Sequence, residues 1–176
     1  MFRTIIFALV SAVLMHGQPV GFGLKLAVPA TDAFRVVQEQ SLASSQNFQW
    51  GPYLELRLPG GNAVEVDALR RNYDFRAAGT AASWEFPVLL KHRIGDGAVR
   101  PFFEGGAAFS RISDIRLATL KRRSNFGMVF GGGVEFKLIG LRLAPELRYT
   151  GWGLRNFDNG LQTERNQVAV LMGFGF

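Results

Sequence analysis

The sequence predicts an all-β protein, a closed antiparallel eight-stranded up-and-down transmembrane β-barrel. Three observations predict it. Apolar side chains recur at every second position in about eight segments, the period of a strand with one greasy face. Those segments are about ten residues long, which is what a tilted strand needs to cross the hydrocarbon of a bilayer. The connections between them alternate between tight glycine-bearing turns and long polar stretches, as in membrane barrels with short turns on one side and long loops on the other.

The elements follow in chain order. In the first, Val20, Phe22, Leu24, Leu26 and Val28 oppose Gly21, Gly23, Lys25 and Ala27. The second, near Gln49 to Leu58, sets Trp50, Leu54, Leu56 and Leu58 against Tyr53, Glu55 and Arg57. Val64, Val66 and Ala68 oppose Glu65, Asp67 and Arg71 in the third, where Arg70 interrupts the apolar face. The fourth opposes Trp84, Phe86, Val88, Leu90 and Ile94 to Glu85, Lys91 and Arg93. Val99, Pro101, Phe103, Ala107 and Phe109 share a face in the fifth, against Arg100, Phe102, Glu104, Gly106 and Ser110. The sixth is the longest: Phe126, Met128, Phe130, Val134, Phe136 and Leu138 against Gly127, Gly131, Gly133, Glu135 and Lys137. Leu141, Leu143, Leu147 and Tyr149 oppose Arg142, Glu146 and Arg148 in the seventh. In the eighth, Val168, Val170, Met172, Phe174 and Phe176 oppose Gln167, Ala169, Leu171, Gly173 and Gly175.

Pro59 to Gly61, Ile94 to Ala98 and Ile139 to Gly140 read as tight turns, and Pro29 to Gln49, Asn72 to Ala82, Ser110 to Asn125 and Gly151 to Arg165 as long loops. An even strand number returns both ends of the barrel to the tight-turn side.

Residues 1–17 read as a signal peptide, with Met1 to Arg3 as a positive n-region and Ile5 to Met15 as an apolar run too short to span a bilayer as a helix. Cleavage after Gly17 leaves residues 18–176 as one barrel domain. The chain has no cysteine, which excludes a disulfide framework and thiolate metal sites. Beyond residue 17 no segment is apolar for the roughly 20 residues of a membrane helix. The net charge is +6, yet the basic residues are scattered among acids rather than gathered into a stripe, which argues against nucleic acid as a partner.

Alternation does not say which face points inward, and a soluble lipocalin-like barrel would bury the apolar one. The glycines favour the opposite arrangement. They lie mostly on the charged face, where a narrow lumen needs small residues and a solvated face would only be weakened by them. Trp50, Trp84 and Tyr149 lie toward the ends of apolar faces, where interfacial aromatic girdles occur.

With the charged face inside, the lumen holds Lys25, Arg57, Arg71, Lys91, Arg93, Arg100, Lys137, Arg142 and Arg148 with Glu55, Glu65, Asp67, Glu85, Glu104, Glu135 and Glu146. Charges in such a space must pair or cost several kcal/mol each, of the order expected for unpaired buried ions. An eight-stranded barrel encloses a space that side chains just fill. The expectation is an ionic network that plugs the lumen, with a proton or ion path as the alternative.

Chemistry-bearing motifs are sparse. The two histidines are His16, in the leader, and His92, which the alternation places on the outer face of the fourth strand. No His or Cys cluster has metal-ligand spacing and no Asp-rich calcium loop is present; no cofactor is expected. The Gly131 to Gly133 triplet has no following helix or Lys-Ser/Thr, so it reads as a bent strand rather than a phosphate loop. Arg111, Arg116, Lys121, Arg122 and Arg123 cluster against Asp114 alone in the third long loop, a candidate anion-binding loop for lipopolysaccharide phosphates or an anionic partner. The alternative there is a solvated loop whose charge aids solubility.

The terminal alternating strand ending in Phe176, together with the eight-segment pattern, resembles the small bacterial outer-membrane β-barrel family of the OmpA transmembrane region and the OmpX and Ail type proteins. The resemblance covers the whole mature chain and implies the bacterial outer membrane. It implies that Phe176 is an assembly signal for the barrel assembly machinery, and that outer-membrane lipid surrounds the wall. Its members' loops serve adhesion, surface interaction or envelope integrity. The chain departs from the OmpA architecture in having no peptidoglycan-binding domain after the barrel. Some barrels of this size modify lipid A, and the deacylases among them use a His and a Ser two residues apart; here Leu90 and Ile94 flank His92 at that spacing. The function expected is therefore a non-enzymatic integral outer-membrane barrel with a structural or surface-interaction role. The alternatives are a lipid A-modifying enzyme and a small-solute pore.

Overall fold

The computed structural model describes residues 20–31, 34–36, 43–75, 79–112, 124–153, 161–163 and 165–176. Among the described residues eleven strands are formed: β1 (Val20–Pro29), β2 (Phe34–Val36), β3 (Ala43–Arg57), β4 (Asn62–Asp67), β5 (Leu69–Phe75), β6 (Gly79–Arg93), β7 (Val99–Ile112), β8 (Ser124–Leu138), β9 (Leu141–Trp152), β10 (Leu161–Thr163) and β11 (Asn166–Gly175). β4 and β5 are consecutive halves of one wall strand, both lying between β3 and β6. Each wall strand pairs antiparallel with its neighbour in the chain, and β11 closes on β1 from Gly23↔Gly175 to Pro29↔Ala169. The result is a closed eight-stranded up-and-down barrel, so no wall edge is left unpaired.

The break between β4 and β5 has a local cause. Gly51 on β3 approaches so closely that a Cβ there would overlap the carbonyl of Ala68. Ala68 leaves the ladder and its N–H donates to Pro52 O at 2.9 Å. This is a local irregularity of the kind that bends barrel walls. At one end the tight turns are set by glycines with left-handed backbone, Gly60 (φ 73), Gly61 (φ 76), Gly95 (φ 81) and Gly140 (φ 74).

The wall extends further than the sequence pattern indicates. The stretch from Asn72 to Ala82, read as a loop, is mostly hairpin: β5 and β6 pair to Phe75↔Gly79, leaving three residues between them. Likewise β3 starts at Ala43, inside the stretch Pro29 to Gln49. Polar and small residues hide these extensions, because a strand beyond the bilayer has no greasy face to reveal its period. β2 and β10 pair with each other, Phe34↔Thr163 to Val36↔Leu161, and join the two loops that carry them.

The faces are inverted relative to a soluble protein. Leu90 is 68% exposed and Phe22 61%, whereas Glu65 and Asp67 are 0% exposed. The outward row of each strand is apolar, including Leu54, Val88, Phe103, Phe126, Phe130, Leu147 and Val170. An apolar surface that wraps a closed sheet, with the charges enclosed, is the arrangement of a membrane-spanning barrel. The enclosed space also holds two apolar clusters: Leu89, Ala108, Val129 and Trp152 on one wall, and Ala27, Leu69 and Leu171 on another.

Candidate functional site: the charged lumen

Inward positions of seven wall strands converge on a central ionic network. Lys25 comes from β1, Glu65 and Asp67 from β4, Lys91 from β6, Glu104 from β7, and Glu146 and Arg148 from β9; Tyr53 of β3 and Gly131 of β8 complete the wall at this level. Arg148 is the hub. Its guanidinium lies 2.7 Å from Asp67 Oδ2, 2.9 Å from Glu104 Oε1, 2.7 Å from Glu146 Oε1 and 3.8 Å from Glu65 Oε1. Lys25 pairs with Glu65, and its Nζ lies 3.1 Å from Glu146 Oε2 and 3.4 Å from Asp67 Oδ2. Lys91 pairs with Glu65 and stands 3.3 Å from Glu104 Oε2. The ammonium groups also rest on rings, Lys25 on Tyr53 at 5.5 Å and Lys91 on Phe102 at 4.6 Å.

The register explains why the glycine triplet sits where it does. Gly131 pairs with Glu104 on one side and Arg148 on the other. A Cβ at Gly131 would stand 3.1 Å from Glu104 Cγ, in the space through which Arg148 reaches that carboxylate. At Gly133 a Cβ would collide with the Pro145 carbonyl and lie 2.9 Å from the Phe102 ring. The triplet therefore keeps β8 close to its neighbours.

A second network lies toward the tight turns. Arg93 pairs with Glu55 and donates from Nε to Glu135 Oε2 at 2.9 Å; Arg100 also pairs with Glu135. Glu55 Oε1 further accepts from Arg57 Nε at 3.0 Å and faces Arg142 Nη1 at 3.8 Å. Cations outnumber carboxylates here by four to two, whereas the central network has three cations to four carboxylates.

The sixteen charges expected inside take different depths. Lys25, Glu55, Glu65, Asp67, Arg71, Lys91, Arg93, Glu104, Glu135, Glu146 and Arg148 are buried. Arg57, Glu85, Arg100 and Arg142 are half-buried. Lys137 shares the inward phase with Arg142 but is exposed, because it is the last such position before the two-residue turn and the wall ends there. Arg111 also departs from its expected place. It lies on β7, not in a loop, and faces outward. Arg116, Lys121, Arg122 and Arg123 fall outside the described residues, as does the 1–17 segment. Phe176 is exposed, donates its N–H to Phe22 O at 3.0 Å and accepts at its own O from Arg57 Nη2 at 3.2 Å. His92 faces out, with Nδ1 2.9 Å from Asn62 Oδ1 and its ring 5.2 Å from that of Phe103.

Chemically, this arrangement pairs opposite charges across the inside of the barrel. Glu65, Glu104 and Glu146 bring carboxylate oxygens within 4.8 Å of one another, but Lys25, Lys91 and Arg148 already contact those carboxylates as a cation would. A cavity of about 20 Å³ remains between Arg71, Glu85 and Arg148, room for about one water. A larger hollow of about 590 Å³ is an open notch at the turn end, between Phe22, Lys137, Arg142 and Phe176. Sequence reading did not single out this carboxylate triad or the inward Leu89 and Val129. The phase of alternation could have found the latter two, since Leu89 shares the face of Lys91.

No protein-family model matches the chain, and no curated protein matches it in sequence. Solved structures do match in fold. The outer membrane protein OprG from Pseudomonas aeruginosa is similar at TM-score 0.59 and 14% identity, over 89% of this chain and 92% of OprG. Neisserial surface protein A is similar at TM-score 0.60 and 14% identity, over 90% of this chain and 96% of that one. The outer membrane enzyme PagL is similar at TM-score 0.50 and 16% identity, over 87% of this chain and 97% of PagL. At these identities the likeness is one of fold, and that fold carries enzymatic and other roles alike.

Proposed function

We propose that the protein is a non-enzymatic integral barrel of the bacterial outer membrane, with a structural or surface-interaction role and a lumen closed to solutes. The observation that carries this reading is the enclosed network centred on Arg148, a guanidinium in contact with four carboxylates. Ion pairs packed around a cavity the size of about one water, among the described residues, support a lumen that does not conduct. The outward apolar face supports residence in a bilayer, and the outer-membrane proteins that share the fold support the outer membrane as the location. Lipopolysaccharide is the proposed partner of the basic loop residues Arg116, Lys121, Arg122 and Arg123, with the barrel assembly machinery as the partner of the terminal strand.

The test is single-channel recording from refolded protein in planar bilayers, paired with mass spectrometry of lipid A from cells with and without the protein. The reading expects no resolved conductance and identical lipid A. Discrete openings would establish a pore, and a lost acyl chain or other mass change would establish an enzyme.

A further inference from the structure

One hydrogen-bonded row on the outside of the wall alternates tryptophan and arginine. Trp50 on β3 pairs with Arg70 on β5, Arg70 with Trp84 on β6, and Trp84 with Arg111 on β7. All four side chains are exposed on the outward face. On β7 the outward residues before Arg111 are Phe103, Gly105, Ala107 and Phe109, and on the broken wall strand of β4 and β5 Val64, Val66 and Ala68 lead to Arg70. Each arginine is thus the first charge met where its apolar face ends, away from the glycine turns. A guanidinium in that position needs a partner, since a bare cation on the lipid face is destabilising toward the membrane centre and is relieved by reaching the headgroups. Neither Arg70 nor Arg111 makes an ion pair with another described residue. Being two strands apart, they stand about 10 Å from each other along the wall, with Trp84 at the position between them and its indole stacked on Phe86.

Resting on the reading of the protein as a membrane barrel, we propose that this row is a binding site for the anionic phosphate headgroup of a membrane lipid in the leaflet next to the loops. The arginines take the phosphate oxygens by charge-assisted hydrogen bonds. The indoles of Trp50 and Trp84 sit at the headgroup level, where tryptophan prefers to lie, and cover the glycerol or sugar end of the acyl chains. A soluble anion would have no reason to choose an outward-facing row at the rim of an apolar belt. An amphiphile whose chains lie along Phe86 and Phe109 fits it.

The protein supplies its own probe. It has three tryptophans, of which Trp50 and Trp84 belong to the row and Trp152 is buried inside the lumen. Refolded protein in vesicles containing brominated phosphatidic acid or brominated phosphatidylcholine reads the lipid in contact with the row by fluorescence quenching. At about fivefold per arginine near a membrane surface, the wild type should prefer phosphatidic acid by roughly tenfold or more, falling as salt is raised. The Arg70→Gln/Arg111→Gln variant should show no preference, and Arg70→Lys/Arg111→Lys should recover most of it. Equal quenching by the two lipids in the wild type, or a preference kept in the Gln variant, overturns the proposal. Full displacement by inorganic phosphate at matched ionic strength overturns the assignment to a lipid. A heat-shifted band on unboiled gels shows that each variant is folded. If the wild type is quenched by neither lipid and shows no heat shift, the membrane-barrel reading itself has failed, whereas failure of the site alone leaves both intact.

Discussion

Replacing Arg148 by methionine isolates the central network. The side chain is buried and contacts Asp67, Glu104, Glu146 and Glu65. Methionine fills similar space without the charge, leaving Lys25 and Lys91 to face four carboxylates. Removing one partner from a buried network typically costs about 3–5 kcal/mol, because the charges left behind lie uncompensated. At about 1.4 kcal/mol per tenfold, the unfolding equilibrium should rise by about two to three and a half orders of magnitude. Urea unfolding of the barrel in lipid vesicles, followed by tryptophan fluorescence, measures this. Adding Glu104→Gln removes one of the stranded charges, so the double variant should recover part of the loss, with a coupling of about 0.5–3 kcal/mol. A loss below about 1 kcal/mol for Arg148→Met, or strict additivity of the two changes, would refute the hub role.

Other expectations follow from the walls. Leu90→Arg places a cation on a well-exposed part of the outward apolar face and should cost about 2–4 kcal/mol in bilayers; a neutral result in the same urea assay would mean that this face meets water. Gly133→Val forces a side chain into the Pro145 carbonyl and the Phe102 ring, so unfolding should become easier by at least about 1–3 kcal/mol. A matched change at Gly140, whose Cβ would meet nothing within 4 Å, should cost only what the left-handed backbone imposes there, with the stability gap between the two variants as the readout.

Much of the fold was legible because a membrane wall writes its period into the sequence. Phe126, Met128 and Phe130 on the outside and Glu104, Glu146 and Arg148 on the inside follow from alternation alone. The bounds of β7, β8, β9 and β11 agree with that reading to within a few residues. Beyond the greasy stretch the signal fades, which is why the β5–β6 hairpin past Asn72 reads as a loop. The broken strand at Ala68 depends on how closely Gly51 approaches, and that is a property of two chains rather than of one segment.

The lumen was legible as a composition and not as a network. Alternation places Arg148 inside, but its carboxylates come from β4, β7 and β9, brought together by register and barrel closure across as many as 83 residues of chain. The separation of a cation-rich turn end from an acid-rich centre has the same origin. Leu89, Val129 and Leu171 show that the inward face is not purely polar, so an inventory of charges alone underestimates how tightly the barrel is filled.

The most direct test of the membrane-spanning closed barrel is gel migration of the protein from isolated outer membranes, with and without boiling in SDS. The account predicts that the protein is found in that fraction and that its unboiled band migrates differently from the boiled one, since a closed sheet resists the detergent until heated. A single band that heating leaves in place, from protein recovered in the soluble fraction, would contradict it.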